Sequence, residues 1–291
     1  MKNKVYAQVY SMIRTFPEGL LEALELFSSI GYDGVELIGD NTGGLAFDAF
    51  TRRLKDLHLN VLSVHTLRNE KDLPFAKAIG AKYVNVSLDP ALLSRDEILK
   101  GCEALNAQGR IYREYGLKAV LHNHADEFRW VKGEEGQTRI YDLLIQHTDP
   151  KLVGFEFDVG WAARAGADVV AYVKDNPGRF PLIHVKECTQ AAKTPEEMEH
   201  FPKRIFHSGL QKDPQTGVPI LTEEMKQELY ESRNWNGALG TGIIDWRALI
   251  KAADAQGCEA YISEREYYHI PGSDGTNASC AKLDYDFLRN L

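Results

Sequence analysis

The sequence predicts a single closed α/β barrel of the (β/α)8, or TIM-barrel, type. Eight short apolar segments with β-prone residues alternate with helical segments along the 291-residue chain. This alternation predicts a parallel sheet with right-handed crossovers, and eight units in a chain of this length favour a closed barrel over an open sheet. The GxGxxG turn that a dinucleotide-binding sheet needs does not follow the first predicted strand.

Each predicted strand is a short apolar run that ends at a turn or at polar residues. In chain order the strands are Val5–Met12, Asp33–Gly39, Asn60–Thr66, Ala81–Ser87, a fifth within Leu117–Phe128, Leu152–Trp161, Phe180–Glu187 and Ala260–Glu266. The helices between them have apolar residues at helical spacing. The first helix begins after Pro17 and ends at Gly31. The other predicted helices are Phe47–Leu57, Leu73–Ile79, Ser94–Tyr115, Tyr141–Gln146, Ala167–Asp175, Trp246–Ala255 and Ala278–Leu291. Ser94 and Glu97 have the spacing of a helix capping box.

One interval departs from this repeat. Residues 189–236, between the seventh strand and the last helices, are rich in Lys, Glu and Pro. A loop of this length in a compact barrel is either a lid or interface arm at the carboxyl-terminal face, or a plain exposed insertion with a short helix over Thr222–Tyr230. The sequence favours neither interpretation. We expect residues 1–291 to form one barrel domain that carries this insertion after strand 7.

Composition limits the classes of function. The formal net charge of −8 argues against a protein that binds the phosphate backbone of nucleic acids. No apolar run is long enough to span a bilayer, and the first residues lack the apolar core of a signal peptide. The four cysteines are far apart, which is typical of the reduced cytoplasm. We therefore expect a cytoplasmic protein without nucleic-acid or membrane partners.

Polar side chains recur near the carboxyl-terminal ends of the predicted strands, where TIM barrels carry their chemistry. A buried imidazole or carboxylate is costly unless it has a partner, so its repetition at equivalent positions predicts a shared metal or substrate site. These residues are Glu36, His65, His122, His124, Asp158, His184, Lys186, Glu187, Glu264 and Glu266.

Individual strand ends allow more than one interpretation. Asp158 is either a site residue or the N-cap of the next helix, and the later predicted start of that helix favours the first. Strand alternation places His184 and Lys186 on one side of their strand. Glu264 and Glu266 also share a side, where two carboxylates repel unless a cation or a proton lies between them.

Mixed imidazole and carboxylate ligands suit Zn, Mn, Co or similar divalent ions better than Ca. A divalent ion beside a carbonyl and its neighbouring hydroxyl stabilises an enediolate, while a carboxylate or imidazole moves the proton on carbon. This is the chemistry of aldose–ketose isomerisation, ketose epimerisation and dehydration next to a carbonyl.

Five segments together resemble a known family. They are HNHADEF from His122, FDVGW from Phe157, HVKE from His184, GTGIIDW from Gly240 and ISERE from Ile262. This set is similar to the xylose-isomerase-like TIM barrels known as sugar phosphate isomerases/epimerases. That superfamily includes ketose 3-epimerases, inosose dehydratases and, more distantly, endonuclease IV. The resemblance covers nearly the whole chain except the 189–236 insertion.

The resemblance implies one divalent ion (Mn, Zn, Co or Mg), held by residues from strands five to eight. Asp158, His184 and Glu264 match the family's ligands on the last three of these strands. On strand five His122 stands where the family has Glu, so either His122 binds the ion, or Glu127 reaches in, or water takes that position.

The same resemblance implies roles for the remaining residues. Glu264, His124 and Lys186 are the implied catalytic groups, because without a strand-five Glu the second proton-transfer group becomes His124. The implied substrate contacts are Glu36, His65, Trp161 and Glu266. The Gly240–Gly242 turn either presents N–H groups to substrate or is only a tight turn before the next helix.

We therefore expect a metal-dependent sugar isomerase or epimerase acting by proton abstraction next to a carbonyl, with a small-molecule sugar or cyclitol as its partner and a homodimer as a possible assembly. The alternative within this class is a dehydratase, a lyase acting on a keto-cyclitol or keto-sugar. Alternatives of other classes are a barrel that binds a ligand without catalysis and a repair nuclease of the endonuclease IV type, which the acidic charge opposes.

Overall fold

A computed structural model contains a closed barrel of eight parallel strands. It describes residues 4–10, 19–65, 72–86, 88, 94–133, 136–194, 197, 211, 220, 222–225, 234–265 and 277–291. The barrel strands β1 to β8 are Lys4–Gln8, Gly34–Ile38, Asn60–His65, Tyr83–Val86, Lys118–His122, Val153–Asp158, Leu182–Val185 and Ala260–Ser263. Each strand pairs with the next in sequence, and β1 pairs with β8 to close the sheet. The predicted TIM barrel is therefore confirmed.

Helices follow most of the strands. The helices α1 to α9 are Leu20–Ile30, Phe47–Asp56, Leu73–Ile79, Arg95–Glu114, Ile140–His147, Val159–Arg164, Val169–Asp175, Trp246–Gln256 and Asn277–Arg289. The predicted capping box at the start of α4 is present, since the side chains of Ser94 and Glu97 each bond the other's backbone N–H. Among the described segments, none of the helices is long and apolar enough to cross a lipid bilayer.

The chain differs from its prediction at the end of the sixth strand. That strand ends at Asp158, and α6 begins at the next residue instead of the strand continuing to Trp161. The cause is local, because the Asp158 side chain accepts a 2.9 Å hydrogen bond from the backbone N–H of Trp161 and caps the helix. The N-cap interpretation of Asp158 is thus confirmed. The predicted helix Ala167–Asp175 is present as α7, and α6 before it was not predicted.

A further difference follows β5. A short antiparallel hairpin, Trp130–Lys132 with Gln137–Arg139, was not predicted. Most of the predicted insertion at 189–236 lies outside the described residues, as do Glu266 and the second half of the predicted helix Thr222–Tyr230.

The apolar core has two layers that leave one end of the barrel for polar groups. The larger cluster joins alternate strand residues, such as Phe155 and Phe157, to the surrounding helices. The smaller cluster contains strand residues from β1, β4, β5, β7 and β8 and no helix residue, which places it inside the barrel. Its members are Tyr6, Tyr83, Val120, Leu182, Ala260 and Ile262. Polar side chains therefore occupy the interior towards the carboxyl-terminal ends of the strands.

Candidate metal centre

Three neighbouring strands bring an imidazole, a carboxylate and a second imidazole together. Asp158 at the end of β6 is the register partner of His184 on β7, and His122 ends the adjacent strand β5. The Asp158 Oδ2 atom lies 3.4 Å from His184 Nδ1 and 3.7 Å from His122 Nε2. All three side chains are buried, and one potential ligand atom from each lies within 4.8 Å of the other two. The predicted convergence of Asp158 and His184 is present, with His122 as the third member.

The donor set of this group fits a divalent metal ion. Within the described part of the chain, the buried atoms Asp158 Oδ2 and His184 Nδ1 have no hydrogen-bond partner, which is costly for groups without a ligand. Burial and the neighbouring His184 and His65 hold the pKa of His122 well below its usual value, so that its imidazole is neutral. Neutral imidazole and carboxylate are the forms that bind Zn, Mn or Co. Burial lowers the pKa of His184, but Asp158 and Glu36 outweigh it and raise that pKa well above its usual value, so His184 would release a proton on binding an ion.

Asp158 serves two purposes through its two oxygens. Its Oδ1 caps α6, while its Oδ2 faces the two imidazoles and the ammonium group of Lys186 at 3.2 Å. Burial alone would raise the pKa of Asp158, but the charge of Lys186 and the contact with His184 hold it far below its ordinary value. The side chain is therefore ionised over the whole physiological pH range, as a metal ligand requires.

Lys186 and Glu264 lie beside this group. The Lys186 Nζ atom is 2.8 Å from Glu264 Oε2, and that same oxygen is 3.6 Å from His184 Nδ1. Among the described residues, the close groups of potential ligand atoms include His122, Asp158 and His184 but not Glu264. His184 and Lys186 thus face one site, as strand alternation predicted, and the buried ammonium neutralises part of the acidic charge.

A second layer of buried acidic side chains adjoins the first. Glu36 accepts hydrogen bonds from Gln8 and Ser63, at 3.0 and 2.6 Å. Glu156 on β6 accepts from Asn85 at 3.1 Å and lies 3.0 Å from Nδ1 of His122, which is its register partner on β5.

His65 lies between the two carboxylates of this layer. Its Nδ1 is 3.3 Å from an oxygen of Glu36 and 3.5 Å from an oxygen of Glu156. Burial opposes protonation of His65, but the two carboxylates dominate and raise its pKa to about 10. Burial and the charge of Glu36 raise the pKa of Glu156. A protonated His65 therefore offsets part of the repulsion between the two glutamates.

Comparison with known proteins shows the family of this chain. The model of the family described as "Xylose isomerase-like TIM barrel" matches residues 24–291. The chain belongs to the xylose isomerase-like TIM barrel family. Among solved members of this fold, a sugar phosphate isomerase/epimerase from Parabacteroides distasonis superposes with a TM-score of 0.69 at 21% identity, over 99% of this chain and 98% of that one. The IolI protein with a bound zinc atom superposes with a TM-score of 0.64 at 16% identity, over 99% and 97%.

The relatives in sequence include inosose dehydratases. The inosose dehydratase of Lactiplantibacillus plantarum is 31% identical over 137 residues, 42% of this chain and 44% of that protein. The inosose dehydratase of Clostridium perfringens strain 13 is 26% identical over 198 residues, 68% of this chain and 53% of that protein. The chain thus matches about half the length of the curated relatives.

Several predicted site residues of this xylose isomerase-like barrel lie at the rim or beneath it. His124 is half-buried, with its ring 5.0 Å from that of His122 and 5.7 Å from that of Trp161. Trp161 itself is buried and packs against Trp235, with ring centres 4.5 Å apart. Glu36, predicted as a substrate contact, has no solvent exposure. Glu266 lies outside the described residues.

Glu127 and the Gly240–Gly242 turn each form a local hydrogen bond that bears on their predicted roles. Glu127, offered as a possible strand-five ligand, accepts a 2.7 Å hydrogen bond from the backbone N–H of His124, and the close ligand groups of the described chain do not contain it. In the Gly240–Gly242 turn, the Gly240 N–H donates to Glu187 at 2.7 Å. That N–H therefore anchors the turn to the end of β7, which favours the tight-turn interpretation.

Sequence reasoning missed Glu156. It lies two residues before Asp158 on the same strand, so alternation places both carboxylates on the face that looks into the barrel. That two-residue spacing was the available signal, and the apolar neighbours Phe155 and Phe157 point to the helical layer. Asn85 and Ser63, which hold the second acidic layer, gave no comparable signal.

The pKa shift of Glu127 predicts that the stability of this barrel depends on pH. Burial raises the pKa of its carboxyl from an ordinary 4.5 to about 7. Between these values the folded protein binds a proton that the unfolded chain has lost, so its stability falls as the pH rises through this window. We expect the stability of the wild type, relative to Glu127→Gln, to fall by about 3 kcal/mol between about pH 4.5 and 7.5. Urea denaturation of both proteins across this range measures the difference, and parallel pH curves would contradict it.

Proposed function

We propose that this chain is a divalent-metal-dependent enzyme that removes a proton from the carbon next to a carbonyl of a sugar, keto-sugar or cyclitol. The observation that carries the proposal is the group of His122, Asp158 and His184, buried and within 4.8 Å of one another at the catalytic end of the barrel. Membership of the xylose isomerase-like family supports the same class of chemistry.

These three residues would hold the ion, with Glu264 as the neighbouring fourth candidate. A bound divalent ion would supply a Lewis acid that polarises the substrate carbonyl and the adjacent hydroxyl. Glu264 is the base we assign to the proton on carbon, because its carboxylate borders the group and is partly open to solvent. Lys186 compensates the negative charge that develops beside it, and His124 at the rim is the second proton-transfer group.

Dehydration is the outcome favoured by the named relatives, which are inosose dehydratases. A specific contact suits it, since the Lys186 ammonium lies 2.8 Å from the Glu264 carboxylate. In this route the C–H bond breaks and its proton goes to Glu264. The electron pair forms the carbon–carbon double bond, and the neighbouring C–O bond breaks as Lys186 protonates the departing hydroxyl to give water. The substrate class would be a keto-cyclitol or keto-sugar.

Isomerisation or epimerisation is the second candidate, supported by the motifs HVKE, GTGIIDW and ISERE. In this route Glu264 removes the proton on carbon, and His124 or Glu264 itself returns a proton to the same or the neighbouring carbon without loss of water. Both routes begin with the same proton transfer from carbon to Glu264. Only dehydration then releases a water molecule.

The test uses the purified chain with an inosose and a panel of ketoses in deuterated water. We expect chelation to abolish turnover and Mn, Co, Zn or Mg to restore it. Loss of one water from the substrate indicates a dehydratase, while deuterium incorporation without loss of water indicates an isomerase or epimerase. Full turnover by the metal-free protein would overturn the proposal.

Metal content also separates the remaining classes. About one ion per chain agrees with the sugar enzyme, whereas three ions would favour a nuclease of the endonuclease IV type. A protein that binds a cyclitol or sugar but neither holds a divalent ion nor exchanges deuterium would be a binding barrel without catalysis.

A further inference from the structure

Glu156 is a buried carboxylate that the proposed chemistry does not use. Its Oε2 atom lies 3.0 Å from Nδ1 of His122, the residue directly opposite in the β5–β6 register. We propose that Glu156 is a positioning residue that fixes the tautomer of His122, so that its Nε2 lone pair faces the metal centre. This inference rests on the proposed function, because it assigns His122 as a ligand in the position where the family motif has a glutamate.

The geometry determines which nitrogen carries the proton. The Glu156 Oε2 atom already accepts the hydrogen bond of the Asn85 side-chain amide, so this oxygen acts as an acceptor and the imidazole nitrogen that faces it is the donor. With the proton on Nδ1, the Nε2 atom keeps its lone pair, and Nε2 is the atom that lies 3.7 Å from Asp158 Oδ2. A carboxylate behind a metal-binding imidazole fixes the ring and raises its basicity.

The position of the accepting oxygen is itself fixed. Asn85 on β4 donates a 3.1 Å hydrogen bond to the same Oε2 atom, so strands β4, β5 and β6 hold the arrangement from three sides. Because Glu156 and His122 are at the same register level of adjacent parallel strands, their side chains meet without any loop. The positioning contact therefore belongs to the rigid part of the barrel.

A purely structural role does not explain a glutamate at this position. Glu156 is fully buried, and its Oε1 atom finds no donor among residues with described positions. The residue also faces the charge of Glu36, which raises the energy of the ionised form. A buried carboxylate of this kind destabilises the fold relative to a neutral side chain, so its presence points to a task in the site.

A second metal ion is the competing explanation for the same carboxylate. Glu36, Glu156 and His184 also place ligand atoms within 4.8 Å of one another, as do His65, His122 and Glu156. Each of these groups shares a histidine with the group of His122, Asp158 and His184. If both sites were occupied, the shared histidine would have to bridge two ions, with neither of its ring nitrogens protonated. The single acceptor role for Glu156 needs no such bridge.

The experiment compares the full-length wild type with Glu156→Gln and Glu156→Leu, using Zn2+ alone as the probe. We expect the zinc affinity to fall about 10-fold for Glu156→Gln and about 100-fold for Glu156→Leu, measured by competition with a chromophoric chelator. In the zinc-loaded wild type, 15N NMR of the histidines should show His122 protonated on Nδ1 and bound through Nε2. In Glu156→Leu we expect that signature to be lost or mixed, whereas Glu156→Gln keeps an amide oxygen that can accept from Nδ1–H and should retain it.

Glu36→Gln is the matched control, because it removes the other buried carboxylate of the same layer and contacts His65 and His184 rather than His122. It should leave the His122 tautomer unchanged. The thermal stability of metal-free Glu156→Gln should equal or exceed that of the wild type, since the repulsion with Glu36 is relieved. A merely structural role would instead lower this stability and leave the tautomer alone.

The other outcomes separate this inference from the proposed function. A wild type that binds no zinc would overturn both. Zinc affinity and a His122 tautomer unaffected by Glu156→Leu would overturn the positioning role and leave the function intact. Two ions in the wild type with one in Glu156→Gln would make Glu156 a ligand and overturn its role as an acceptor.

Discussion

Asp158→Asn is expected to lose the bound metal and about 10³-fold in activity, equivalent to about 4 kcal/mol of transition-state stabilisation, while the protein stays folded. The Oδ2 atom of Asp158 is the point on which His122, His184 and Lys186 converge. An amide removes the negative charge from this point and is a poor ligand for a divalent ion. The amide oxygen can still accept the hydrogen bond from the Trp161 N–H, so the cap of α6 is kept. Metal analysis and steady-state kinetics measure the two losses, which should coincide.

Asp158→Ala separates the two tasks of this side chain. It loses the ligand and also the helix cap, so its free energy of unfolding should fall about 1 kcal/mol below that of Asp158→Asn. Asp168→Ala is the control, because Asp168 caps α7 through hydrogen bonds to Val170 and Ala171 at an exposed position. This variant should lose a similar amount of stability and keep both metal and activity. Stoichiometric metal in Asp158→Asn would refute the assignment of the centre.

The two roles of Asp158 show which features could be predicted from the sequence and which could not. Short apolar runs located all eight strands, since strands of a parallel barrel are buried on both faces and therefore leave a strong local pattern. The site residues Asp158, His184 and Lys186 were found because they stand at strand ends. The start of α6 directly after Asp158 was not predicted, because the segment VGWAAR from Val159 is apolar apart from Arg164 and fits a buried strand equally well.

The second acidic layer was harder to predict for a different reason. Glu36 and Glu156 come from β2 and β6, on different sides of the barrel, and they share His65 and His184 as neighbours only because the sheet closes. The sequence of neither strand indicates that the two glutamates lie close together in the folded barrel. Closure of the sheet brings the two buried carboxylates close enough to act together on the histidine between them, and together they raise the pKa of His65.

Lys186→Met is expected to lower the stability of the metal-free protein by about 3–5 kcal/mol. The Lys186 ammonium is fully buried and lies between Asp158 Oδ2 at 3.2 Å and Glu264 Oε2 at 2.8 Å. Methionine fills a similar volume without the charge, which leaves two carboxylates facing each other across the site. Activity should also fall, by about 10²- to 10⁴-fold, because the charge beside Glu264 is lost during proton transfer.

The stability loss of Lys186→Met should depend on divalent cations, and this separates an electrostatic cause from a packing defect. A divalent ion supplies the positive charge that the variant lacks, so added Mn2+ or Zn2+ should raise its melting temperature more than that of the wild type. Lys82→Met is the control, since Lys82 pairs with Glu259 on the surface and its loss should cost about 1 kcal/mol or less without any response to metal. If Lys186→Met were as stable as this control, or if metal failed to restore it, Lys186 would not be the counter-charge of the site. The acidic residues would then have to be neutralised by the histidines alone.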